Sequence, residues 1–275
     1  MLNPAQEIRA RFGNVRRARG CWLYTEKNVR LLDLFLDAGA AVLGRRAGRA
    51  KLALKNALDR GLCGGMPVRL EQNLSRAACA LTGTGKSAVW FPSQACAGNF
   101  CAEHGLHTAE WRPWLFAGDT WPSGAACGTE HPPVTVLSAP FPWGGAPDFS
   151  GVVAVFPETA GILLPESSAP PCLLAAITRA LVELRRALPL FRDEDFAALL
   201  PANRDFPWER KGAWLFLRGG EIPQDRYQSF FCRCLDRGFL ISPDPAIPSV
   251  LPLPCTVSPQ ERKSLRSALS GLPDW

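Results

Sequence analysis

Between Leu70 and Gly105 the apolar period changes twice, and this limits the folds open to the chain. Leu70, Leu74, Ala77, Ala78 and Leu81 recur at helical spacing, and Gly83 stands where a left-handed cap would close that helix. Ala88-Val-Trp-Phe91 is then a short continuous apolar run, suited to a buried strand. Ser93 is placed to cap a second helix, Gln94 to His104, that stops at Gly105. A buried strand held between two helices by tight turns requires a layered structure, with partner strands beside it and helices on its faces.

The alternation continues along the chain. Two short strands, Trp22 to Tyr24 and Val29 to Phe35, flank a turn at Glu26-Lys27-Asn28, and a helix is expected from Arg46 to Leu58. The stretch from Leu106 to Pro170 is rich in Pro, Gly and Trp. Its expected strands are Trp114 to Ala117, Val134 to Ser138, Val152 to Phe156 and Ile162 to Leu164. Leu173, Leu174, Ile177, Leu181, Leu184 and Leu188 form one helical stripe. After Pro207 come a strand (Ala213 to Leu217), a helix (Gln224 to Arg237), a stop at Gly238, and strands at Phe239 to Ser242 and Val250 to Leu253. The last helix has Ser258 as N-cap, Pro259 at its first position and Glu261 completing a capping box. The pattern is α/β: a mixed central sheet with helices, plus a small α+β lobe formed by both termini. The expected division is 1–60 and 191–275 for the small lobe and 61–190 for the central one.

Composition removes several classes. With 47% hydrophobic and 20% charged residues among 275, the chain can bury a large core. The net charge of +6 is spread over separate groups, Arg9 to Arg19 and Arg45 to Lys55, and is read as a solvated surface without a nucleic-acid partner. No run reaches the length of a membrane span, and the first twenty residues carry no apolar signal region, so a cytoplasmic protein is expected. The ten Cys are then read as free thiols, mostly buried.

Ala80-Leu-Thr-Gly-Thr-Gly-Lys-Ser87 has the spacing of a nucleotide-binding phosphate loop. Such a loop needs a strand before it and a helix after it, so that amides at a helix N-terminus face the phosphates. Here the order is reversed, and the preceding helix offers its negative end. A helix-to-strand connection is the favoured reading, with nucleotide binding kept as an alternative.

Once these elements are in order, a family resemblance appears. Gly20-Cys-Trp-Leu-Tyr-Thr-Glu-Lys-Asn-Val-Arg-Leu-Leu-Asp33 and Ala38-Gly-Ala-Ala-Val-Leu-Gly44 resemble the opening of class III aminotransferases that use pyridoxal phosphate, with Arg45 where a His is usual. Val68 to Gly83 resembles that family's helix ending in Leu-Thr-Gly, Ala88 to Asn99 its phosphate-binding turn, and Leu235 to Pro243 a turn in its closing domain. These motifs span about half the chain. The resemblance implies a reduced form of the pyridoxal-phosphate transferase architecture, a homodimer, and a small phosphate ligand held at Ser93, Gln94, Ala95 and Cys96 by a helix N-terminus.

The family also uses a Lys that forms an imine with pyridoxal phosphate and an Asp that holds the pyridine nitrogen. Lys occurs only at positions 27, 51, 55, 86, 211 and 263, and none lies between Ser87 and Lys211, where the imine-forming Lys would fall. Asp193 and Asp195 follow a helix and a loop and do not suit the Asp role. The central region is also short for the family's seven-stranded domain. The expectation is a shortened, degenerate aminotransferase-like protein without transaminase activity. It would bind pyridoxal phosphate non-covalently or not at all, with a phosphate-ligand or partner-binding role as the alternative.

Other groupings carry less. Cys101, His104 and His107, with Cys96 near, offer zinc-ligand types, but a helix end with a buried thiol and exposed imidazoles accounts for them, and no metal site is assigned. Cys232 and Cys234 diverge on a helix. No Gly-x-Ser-x-Gly elbow marks a hydrolase. Trp111, Trp114, Trp121 and Trp143 are read as covering a sheet edge or lining a partner surface.

Overall fold

The computed structural model describes residues 2–45, 48–63, 69–111, 133–138, 151–157, 162–166, 169–197, 199, 208–218, 222–252 and 259–271. Two compact units result. One draws on Met1–Arg46 and Leu190–Trp275, the other on Ala47–Pro113 and Thr120–Pro189.

In the first unit, α1 (Pro4–Phe12) starts with Pro at its first position, and the Asn3 side chain accepts from the amides of Ala5 and Gln6. A meander follows: β1 (Val15–Arg19), β2 (Trp22–Thr25) and β3 (Arg30–Asp33), extended by the parallel strand β10 (Phe239–Leu240) in the order β1-β2-β3-β10. The register sets Arg17 opposite Tyr24, Tyr24 opposite Arg30, Trp22 opposite both Arg19 and Leu32, and Leu32 opposite Phe239. Alternation therefore puts arginines and aromatics on one face, and Leu23, Leu31, Asp33 and Leu240 on the buried other. Helix α7 (Gln224–Asp236) packs on β10. A three-stranded sheet of β11 (Ser249–Val250), β9 (Trp214–Leu217) and β8 (Trp208–Lys211) joins the first where the Val250 amide donates to Leu34 O at 2.6 Å. Helices α6 (Asp193–Ala197) and α8 (Pro259–Leu269) complete the unit.

The second unit is layered around a sheet ordered β4-β7-β6-β5, with β4 (Ser87–Phe91), β7 (Val152–Phe156), β6 (Val134–Ser138) and β5 (Thr108–Trp111). All pairs are antiparallel except β5 with β6. Every residue of β7 is buried, so its unbroken Val-Val-Ala-Val-Phe run is that of a strand covered on both faces. On one face Val89, Phe91, Val134, Val136, Val152, Ala154 and Phe156 pack with Ala97 and Cys101 of α4 (Gln94–Glu103). Helix α3 (Leu70–Thr82) packs on β4 and β7, and α5 (Pro171–Ala187) lies against α3 and α2 (Gly48–Asp59). At the start of β7, Gly151 lies under the Trp90 indole, where a Cβ would sit 2.1 Å from Nε1.

The expected mixed α/β class is present. Several details differ. Ile162 to Leu164 is not a strand: Ile162 and Leu164 pack on the core around Phe156, while Leu163 is 93% exposed. The strand expected to reach Phe35 stops at Asp33, and that expected to reach Ser242 stops at Leu240. Helices α1 and α6 and strands β1, β5 and β8 have no counterpart among the expected elements, and the strand expected from Val250 to Leu253 is instead Ser249–Val250. The expected strand at Trp114 to Ala117 and the Ser258 cap lie outside the described residues, as do Trp114, Trp121 and Trp143, whereas Trp111 is half-buried on the edge strand β5.

Candidate functional site

Strand β4 ends at Phe91, and the chain turns through Pro92 into α4. Ser93 is extended, at φ −152° and ψ 163°, and its hydroxyl accepts from the Cys96 amide at 3.1 Å. The same hydroxyl donates to Cys96 Sγ at 3.2 Å. The Ala97 amide reaches Ser93 O, while the amides of Gln94 and Ala95 have no acceptor among the described residues. Gln94, Ala95 and Cys96 are exposed, and no acidic side chain lies in the first turn of α4. The four expected residues are thus together at one exposed, electropositive helix start, with Ala97 and Cys101 anchoring α4 in the core.

The other end of β4 is built differently. Gly83 caps α3 in the left-handed conformation, its amide donating to Cys79 O. Gly85 has φ +75°, and a Cβ there would stand 2.6 Å from Phe156 O and from Val155 Cγ1. The Lys86 amide donates to Phe156 O, its side chain is exposed, and Ser87 begins the strand. The Gly-Thr-Gly-Lys-Ser segment is a helix-to-strand connection whose second Gly is required by close packing on β7. It lacks the strand-loop-helix order that aims amides at phosphate.

The lysines bear on any cofactor of the pyridoxal type. Lys86 sits at the end of β4 away from Ser93, roughly 16 Å along a five-residue strand. In the first unit, the Lys211 ammonium lies 5.7 Å from the Phe216 ring centroid. Among the described residues the Ser93 turn offers free amides at a helix start that fit the phosphate of such a cofactor, and Lys86, on the same strand, stands at its opposite end.

One polar cluster went unread in the sequence. Asp33 is fully buried, and its carboxylate accepts from Arg45 Nε (2.8 Å) and Nη2 (2.6 Å) and from the amides of Phe35 and Leu36. Arg45 also donates to Asp37 at 2.5 Å. Burial pushes the Asp33 carboxyl up from its ordinary range, and Arg45 and the Leu36 amide pull it back. This cluster holds Leu36, Asp37 and Ala38 at φ 47°, 53° and 53°, three consecutive non-Gly residues in the left-handed region. The capped turn is also why β3 stops at Asp33. The only sequence signal was an Asp-x-x-x-Asp pair followed by an Arg where the resembled family has His.

Among the described residues the thiols and imidazoles do not gather. Cys101 is buried and His104 exposed, its Nδ1 2.9 Å from Phe100 O. Burial pushes the Cys101 thiol up, and the Cys21 and Cys234 thiols up to about 12, so these remain protonated core groups. Among the described residues no group of three or more His, Cys, Asp or Glu could hold a metal ion, and His131 lies outside them. No described helix is long and apolar enough to cross a membrane.

The architecture has close parallels among solved structures. Ornithine aminotransferase from Plasmodium yoelii superposes with a TM-score of 0.60 at 11% identity, covering 93% of this chain and 92% of that one. Ornithine delta-aminotransferase from Plasmodium falciparum gives 0.63 at 10%, covering 93% and 91%. A glutamate-1-semialdehyde aminomutase from Pseudomonas aeruginosa gives 0.60 at 13%, covering 98% and 91%. The chain therefore has the class III aminotransferase fold. No protein-family model matches its sequence. An uncharacterized protein of Treponema pallidum (strain Nichols) is 32% identical over 286 residues, across 90% of this chain and 91% of that protein, and the chain belongs to the same family as that protein.

Proposed function

We propose that this chain keeps the aminotransferase fold without transaminase chemistry, as a shortened and degenerate relative, and binds a phosphate-bearing small molecule without a covalent link. Pyridoxal phosphate is the first candidate ligand. Ser93, with the amides of Gln94 and Ala95 and the Cys96 turn, would take its phosphate; this supports the binding half of the reading. The observation that carries the other half is the placement of lysine: Lys86 stands at the far end of β4, and none follows it before Lys211. A chain with no Lys between Ser87 and Lys211 lacks the amine that would tether the cofactor in the resembled family, which supports a non-covalent ligand.

The test is an absorbance spectrum and intact mass of the purified protein with pyridoxal phosphate, before and after borohydride, beside a calorimetric titration. Saturable binding that inorganic phosphate competes away, with no imine band and no adduct on Lys, is expected. A borohydride-fixed adduct on any Lys would refute the chemistry, and no binding at all would refute the ligand. A homodimer is part of the proposal, since the resembled aminotransferases pair. Light scattering at the mass of one 29.9 kDa chain would remove it.

A further inference from the structure

The first unit holds a cavity of about 420 Å³ on the arginine-and-aromatic face of the β1-β2-β3-β10 sheet, a volume in the range of small-molecule sites. Its apolar floor is Trp22, Leu32 and Phe239, all buried and adjacent in register, and the Ala268 turn of α8 forms part of the wall. Arg30 and Arg237 are among its lining residues. Arg30 lies over the Trp22 ring, 4.0 Å from its centroid. A guanidinium stacked on a ring keeps a fork of N–H donors for a planar acceptor.

Neither arginine of this site is held in an ion pair among the described residues, whereas Arg11, Arg45, Arg179 and Arg210 all pair with carboxylates. The neighbouring Asp236 is taken by Arg11 Nε at 2.7 Å. The last carbonyls of α7, which would repel an anion, are occupied by the amides of Arg237 and Gly238.

We propose that this cavity binds a small amphipathic carboxylate. Arg30 takes the carboxylate as a two-bond fork, Arg237 supplies the second positive charge, and an aromatic or branched apolar body lies on Leu32 and Phe239. The site stands on residues of the first unit and does not rest on the reading of the Ser93 turn.

The test uses the full chain, with benzoate as the carboxylate probe and benzyl alcohol and benzylamine as controls of the same body. Benzoate should saturate one site below about 10 mM, with both controls at least about tenfold weaker. Arg30→Gln and Arg237→Gln should each weaken benzoate about fivefold or more, and Arg30→Lys should recover only part of the loss at Arg30. Nitrogen-15 spectra of the unaltered protein keep the test open if a variant misfolds: benzoate should shift the Trp22 indole N–H and the Gly238 amide. Failure to saturate, equal binding of the alcohol, or benzoate shifts confined to signals away from Trp22 and Gly238 would each overturn the proposal.

Discussion

The two ends of β4 look opposite in sequence and in structure, and in each case the misleading one is the more familiar. The end before the strand carries Gly-Thr-Gly-Lys-Ser but stands at the C-terminus of α3, where backbone dipoles disfavour anions. The end after the strand carries no Gly until Gly98, yet it opens α4 with two amides that have no acceptor among the described residues. Helix direction decides which turn can hold a phosphate, and side-chain motif does not.

The sharpest way to break this contrast is at Gly85. Gly85→Ala must strain a backbone at φ +75° and push on Phe156 O and Val155 Cγ1, at about 3 kcal/mol. Gly83→Ala meets open space and should lose only about 1 kcal/mol. Equal urea midpoints for the two variants would mean that the second Gly is not held by packing.

At the opposite end, Ser93→Ala removes the cap and should lose about 1 kcal/mol of stability while weakening phosphate competition. Ser93→Asp sharpens the point. A carboxylate at that position should keep or raise the melting temperature by satisfying the same amides, yet repel a phosphate ligand. A variant that lost stability along with binding would show that the turn serves folding alone.

A surface pair in the first unit gives the scale for exposed charge. Arg210 holds the Asp193 carboxyl below its ordinary 3.8. On acidification the unfolded chain therefore takes up that proton first. The pair's contribution is present above the ordinary value and lost as pH falls through the lower folded one. Because Asp193 is largely exposed, Asp193→Asn should change stability by less than about 1 kcal/mol at pH 7 and flatten the acid limb slightly, read by melts between pH 2 and 7. Smallest of all is Lys86→Ala. It should move stability by less than about 0.5 kcal/mol and leave pyridoxal phosphate binding unchanged. A lost binding isotherm would restore the phosphate-loop reading.

What could be read in advance follows the strength of local signals. Helix α3, strand β4 and helix α4 were legible because period, cap and stop agree at Gly83, Ser93 and Gly105. Strands β6 and β7 were legible because four and five apolar or β-branched residues, respectively, stand in an unbroken run. Strand β1 was not: Val-Arg-Arg-Ala-Arg is an edge strand whose exposed side chains mimic a basic run. Helix α1 buries only Ile8 and shows little apolar stripe, although the Asn3-Pro4 start was there to be seen. At the site, the Ser93 cap was visible from its residue type. The Asp33-Arg45-Asp37 cluster was not, because a left-handed run at Leu36, Asp37 and Ala38 has no residue-type signature and depends on contacts twelve positions apart.

Trp90 and Gly151 carry a constraint on how this family can diverge. Any side chain at 151 would enter the space of an indole that has no hydrogen-bond partner among the described residues. A smaller residue at 90 would leave a void that 151 is then free to fill. Neither change is tolerable first without loss, so the two positions should be inherited as a couple, and relatives that differ at one should differ at both.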